Sequence, residues 1–155
     1  MILRTALLLA LILTVFGSLV DRVLAQDDIK EHRSCTVCGM DRKAYGYSRV
    51  LILYQDGSQT GVCSLHCAVA ELAAHKEREA KSIQVADRDT RLLIDAEKAI
   101  WVIGGKKRGV MTQIPKWAFE TEAAARSFIA ANGGSISSWA KTRASALEEV
   151  NHSSK

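Results

Sequence analysis

All four cysteines of this 155-residue chain fall between positions 35 and 67, in two close pairs. Cys35-Thr36-Val37-Cys38 has Cys-x2-Cys spacing, and Cys63-Ser64-Leu65-His66-Cys67 has Cys-x3-Cys spacing. Two such pairs are a tetrathiolate metal pattern, and Met40, two places after Cys38, adds a soft thioether. A chain that brings both pairs to one ion must turn back on itself between them. Two structural disulfides, or a reversible thiol couple, would use the same residues. Disulfide dependence is typical of cores much smaller than the ~130 residues that follow the N-terminal segment. A soft-metal site is the favoured reading, with Cu(I) ahead of Zn²⁺ because zinc gains nothing from a thioether.

The residues between the pairs supply the turn. Gly39 permits the positive φ that a metal knuckle often needs. Arg49-Val50-Leu51-Ile52-Leu53-Tyr54 is rich in β-formers, Asp56-Gly57 is a hairpin signal, and residues 59–62 return as a second strand. Ser64 is a candidate N-cap for a helix running to about Glu79, with Leu65, Val69, Leu72 and Lys76 near one face. Cys63 and Cys67, four apart at the helix start, can therefore face one ion, and the helix N-terminus favours the thiolate form. Knuckle, hairpin, then helix is the order of a treble-clef site.

Residues 82–86 read as a short strand, and residues 87–97 as a polar turn with a Leu92-Leu93-Ile94 insert. Ala99-Ile100-Trp101-Val102-Ile103 is a strong strand; a turn at Gly104-Gly105-Lys106-Lys107-Arg108 is expected to return it through Gly109-Val110-Met111-Thr112. Thr121 caps a helix over residues 122–131 that stops at Asn132-Gly133-Gly134. A short strand or turn at residues 135–137 follows. Trp139, Arg143, Ala146 and Val150 then stripe a final helix, with residues 151–155 expected to fray. Offset by 48 residues, Gly57, Gly61, Val62 and Cys63 meet Gly105, Gly109, Val110 and Met111, which suggests an internal duplication. The expected fold class is α+β, with two small ββαβ-type units: a treble-clef-like one over residues 26–81 and a second over residues 82–155.

Residues 1–25 read as a signal peptide. Arg4 supplies the positive start, residues 5–20 are almost unbroken apolar, and Val23-Leu24-Ala25 offers a cleavage site before Gln26. The run is short of the ~18–20 residues that span a bilayer core. A periplasmic location is therefore expected, with membrane association only through an uncleaved N-terminal segment. Loss of Arg4, Arg22 and Asp21 would lower the formal charge from +4 to +3. That mild excess is not a nucleic-acid footprint.

The Cys35-x-x-Cys38-Gly39-Met40 run, the Asp-Gly hairpin, the late Met111, and Phe128 leading into Gly133-Gly134 resemble the NosL family of nitrous oxide reductase accessory proteins. The resemblance implies a periplasmic Cu(I)-binding metallochaperone whose client is nitrous oxide reductase, with Cys38, Met40 and Met111 as soft ligands. The Cys63–Cys67 element is more similar to YHS or TRASH treble-clef modules, for which a zinc-stabilised interaction module without metal transfer is the alternative. The candidate ligands are thus Cys35, Cys38, Met40, Cys63, Cys67 and Met111.

His66 is expected to point about 100° away from Cys67 on the helix, in a supporting or solvent-facing role. His32 is a weaker candidate ligand, and His75 and His152 read as surface residues. Lys106-Lys107-Arg108 reads as a solvated turn that could also dock an acidic partner, and Trp101, Trp117 and Phe119 read as core. An enzyme is not expected: there is no Ser/His/Asp order, phosphate-binding glycine loop or convincing carboxylate pair. The Cys-x2-Cys pair also does not open a helix, as a thioredoxin-type couple does.

Overall fold

The structure, a computed structural model, describes residues 27–153; the signal-peptide assignment to residues 1–25 lies outside them. The elements in chain order are α1 (Asp27–Glu31), β1 (Val50–Tyr54), β2 (Gln59–Val62), α2 (Leu65–Ala74), β3 (Ala80–Ala86), β4 (Leu93–Asp95), β5 (Ile100–Ile103), β6 (Lys116–Phe119), α3 (Glu122–Asn132), β7 (Ser135–Ser137) and α4 (Trp139–Ser153). They form two antiparallel sheets, ordered β2-β1-β3-β4 and β6-β5-β7. Each sheet is a hairpin followed by a helix and by a strand that returns to pair with the hairpin's first strand. The α+β, two-unit architecture is the one the sequence predicts.

The two units share one order of elements, though not at the expected offset. Val50 pairs with Val62 in the first hairpin as Ile100 pairs with Phe119 in the second. The helices are capped at equivalent places by Ser64 and Thr121. The counterpart of Cys63, immediately before the cap, is therefore Glu120 and not Met111. The expected return strand at residues 109–112 is loop, and β6 begins at Lys116 instead. Gly104 and Gly105, with φ of 79° and 91°, open a loop too long to close as a tight hairpin.

The first sheet also takes in β3 and β4, so the first unit extends to Asp95, beyond the expected boundary at residue 81. The Leu93-Ile94 insert is an edge strand paired with β3. Helix α2 ends at Ala74, short of Glu79, and α4 stays helical through Ser153.

Apolar side chains from β1, β2, α2 and β3 build the main core, which Trp101 and Ala146 join from the second half of the chain. Helix α4 lies along α2 and closes that core, with Trp139 stacked on Trp101 at 5.5 Å. Val102, Trp117, Phe119 and Phe128 form a second cluster, and Tyr47 packs against both. Asp87, 2% exposed, joins the sheets: its carboxylate accepts the Glu120 N–H at 2.7 Å and the N–H groups of Asp89 and Thr90.

The lead into the metal region is structured: α1 is followed by a bridge between Ser34 and Asp41. Asp28 is buried between two fully buried arginines, Arg42 and Arg49. Its carboxylate accepts from Arg42 at 2.7 Å and from Arg49 at 2.9 Å. Arg42 also donates to the carbonyls of Asp28, His32, Val50 and Val62, so its desolvation is offset by a filled set of acceptors. This hub fastens α1 and the knuckle to the ends of β1 and β2.

Candidate metal centre

The first cysteine pair sits on a tight knuckle. The Gly39 N–H donates to the Cys35 carbonyl at 2.8 Å, and the Cys35 N–H donates to the Met40 carbonyl at 2.8 Å. Gly39 has φ +77°, a left-handed conformation that a Cβ would strain. The knuckle is pinned to the hairpin by Thr36, whose N–H and hydroxyl both donate to the Gly61 carbonyl. Gly61 is required for this approach, because a Cβ there would run into His32 and lie 2.7 Å from the Arg42 guanidinium carbon.

The second pair leaves β2 and enters α2. Ser64 caps the helix by accepting the Cys67 N–H, and the Ser48 hydroxyl donates to the Cys63 carbonyl at 2.8 Å. These anchors bring the four Sγ atoms within 4.8 Å of one another. Cys38 and Cys63 are 3.5 Å apart, and Cys63 and Cys67 are 3.7 Å apart. A tetrahedral ion with metal–sulfur bonds of about 2.3 Å sets its sulfurs about 3.8 Å apart, so the cage fits a thiophilic cation. All four cysteines are free thiols, not disulfides. Cys35, Cys63 and Cys67 are buried, and Cys38 alone is half-exposed.

Crowded thiols cannot all ionise without a cation. Hydrogen bonds from the Cys63 and Cys67 thiols, and from backbone N–H groups, hold the Cys35 thiol well below its ordinary value. The Cys35 thiolate in turn pushes Cys63 up to about 12 and raises Cys67 further. Ionisation of each thiol is thus tied to its neighbours, and a cation held between them would favour the thiolate form of all four.

The two expected thioethers differ in their surroundings. Met40 is half-buried and packs against the main core, which includes Cys35, Cys63 and Cys67. Met111 is 45% exposed, has φ +54°, and lines a separate groove with His66, Glu149 and His152. Helix geometry places His66 there, on the turn next to Cys67. The Asp28–Arg42–Arg49 hub behind the knuckle was not legible as part of the site, because isolated charges in a sequence read as surface.

Comparison with curated proteins returns no match. The NosL family model, by contrast, matches residues 26–147, most of the chain. The chain belongs to the NosL family. Among solved structures, a similar fold is the crystal structure of the copper chaperone NosL from Shewanella denitrificans, at 20% identity and a TM-score of 0.54. The match covers 68% of this chain and 85% of the other. At that identity it establishes the shared NosL fold. The cysteine cage lies within the region the NosL model covers.

Proposed function

We propose that this chain is an exported Cu(I) metallochaperone that helps to assemble the copper sites of nitrous oxide reductase. The observation that carries the reading is the convergence of four thiols on one point, three of them shielded from water. Family membership and a structural neighbour named as a copper chaperone support copper as the cargo. The N-terminal sequence supports periplasmic export.

Cu(I) is satisfied by two or three soft ligands, so a four-thiol cage has one or two to spare. Cys38, at the half-exposed corner, is the thiol an incoming ligand reaches first. Met40 beside the knuckle supplies a thioether, and exposed Met111 offers a weak soft ligand outside the cage. An ion passed from deep thiolates towards Cys38 and a thioether becomes progressively easier for a client to remove.

The completeness of the cage favours one other reading. Four thiolates with three buried is also how a structural Zn²⁺ is held, and the protein would then be a zinc-stabilised interaction module. Anaerobic titration of the reduced chain with Cu(I), against a competing chelator and with Zn²⁺ present, separates the two. The chaperone reading expects stoichiometric Cu(I) that displaces Zn²⁺ and passes to an acceptor. Zinc that Cu(I) does not displace would leave the module reading. Binding and transfer unchanged in a Met40→Leu, Met111→Leu variant would remove the thioethers from the account.

A further inference from the structure

A cationic groove of about 350 Å³ opens between the turn at residues 88–91 and the loop at residues 107–108, with Tyr47 and Trp117 also in its lining. We propose that it docks an acidic peptide segment of the protein that exchanges metal with this chain. The partner's role rests on the copper reading; the binding of acidic segments does not.

Arg91, Lys107 and Arg108 are exposed and make no ion pair among the described residues. Arg88 is engaged with Asp89 at 2.6 Å and lies 5.0 Å over the Phe128 ring. Three cations without ion pairs face one groove from its two sides and repel each other, and carboxylates entering the groove relieve that repulsion.

The backbone on both sides of the groove is held in place. Arg91 occupies a left-handed conformation, φ 61°, which a non-glycine residue keeps only where its surroundings fix it. Its N–H donates to the Asp87 carbonyl at 2.9 Å, and its carbonyl accepts from the buried Arg49 at 2.8 Å. On the other side, the Lys106 N–H donates to the Asn132 carbonyl at 2.9 Å, pinning the 107–108 loop against the end of α3. Half-buried Tyr47 packs on buried Trp117 at 6.0 Å, and both line the groove. A recess suits an extended peptide better than a membrane, whose surface cannot enter it. Tyr47 directly precedes Ser48, the residue that anchors Cys63, so a segment seated here lies close to the cage.

The test uses the full chain and a fluorescein-labelled twelve-residue peptide of alternating Glu and Ser. Saturable binding that weakens with salt is expected. The R91Q/K107Q/R108Q variant should bind at least about tenfold more weakly than K81Q/K98Q/K141Q, which removes the same charge elsewhere, because only the former empties the complementary patch. Cu(I) affinity should be equal in both variants, so failure of this proposal and failure of the copper reading are distinguishable. The proposal is overturned if the peptide does not bind, or if the two variants bind it equally. It is also overturned if vesicles of phosphatidylserine and phosphatidylcholine, and not the peptide, show the groove-dependent binding.

Discussion

The Sγ atoms of Cys38 and Cys63 stand 3.5 Å apart, although 25 residues separate them in sequence. One sits on the knuckle and the other just past the end of β2, and the contact exists because Thr36 and Arg42 lash the knuckle to that strand. Cargo affinity is therefore expected to depend as much on this lashing as on the thiols.

Cys38→Ser should weaken Cu(I) binding less than Cys63→Ser. Cys38 is the peripheral thiol, whereas Cys63 is fully buried and close to thiols of both pairs. Competition titration of the two reduced variants checks the order.

Gly61→Ala should destabilise the chain by about 1–3 kcal/mol, the usual cost of overpacking. A methyl there meets both His32 and the Arg42 guanidinium, neither of which can move without breaking the hub. Urea unfolding measures the loss, and the cysteines should alkylate faster as the knuckle lifts.

Asp28→Asn should cost about 3–5 kcal/mol, because it strands Arg42 and Arg49 in the interior without their shared carboxylate. Replacing an exposed, paired carboxylate such as Glu122 should cost no more than about 1 kcal/mol. The contrast is read from chemical denaturation midpoints.

Acid should loosen the joint between the two units. Burial opposes ionisation of Asp87, but N–H groups of Thr90, Glu120 and Asp89 and the Thr90 hydroxyl outweigh it and hold its pKa below the ordinary 3.8. Glu149, likewise opposed by burial, is held below 4.5 by Thr112, the Ile114 N–H and Lys116. Each folded-state pKa is depressed, so the stability these groups supply is complete above the unfolded values and lost as pH falls through the folded ones. Thermal melts should therefore drop steeply below about pH 4.5, and Asp87→Asn should flatten part of that fall.

Much of this fold can be read from the sequence because its signals are local. The Asp56-Gly57 turn, the Ser64 and Thr121 caps and the Gly133-Gly134 stop each act over four or five residues, and each is where the structure has it. The cysteine cage is legible for the same reason: its spacing encodes a knuckle and a helix start. What escapes is set by distant partners. β6 starts at Lys116 because the loop before it is anchored to α3 and α4, through Asn132 and Glu149, and not because residues 109–112 lack strand character. Lys116 itself is buried, held by Glu149 at 3.1 Å from the far end of the chain. Asp28, Arg42 and Arg49 look solvated one at a time and are buried only as a set. The offset that paired Cys63 with Met111 failed because the second hairpin carries a much longer loop.

X-ray absorption at the copper edge of reduced protein loaded with one equivalent of Cu(I) tests the central claim most directly. The account predicts a first shell made of sulfur, with fewer sulfurs in the Cys63→Ser, Cys67→Ser variant. A shell dominated by nitrogen or oxygen, or one identical in that variant, would contradict it.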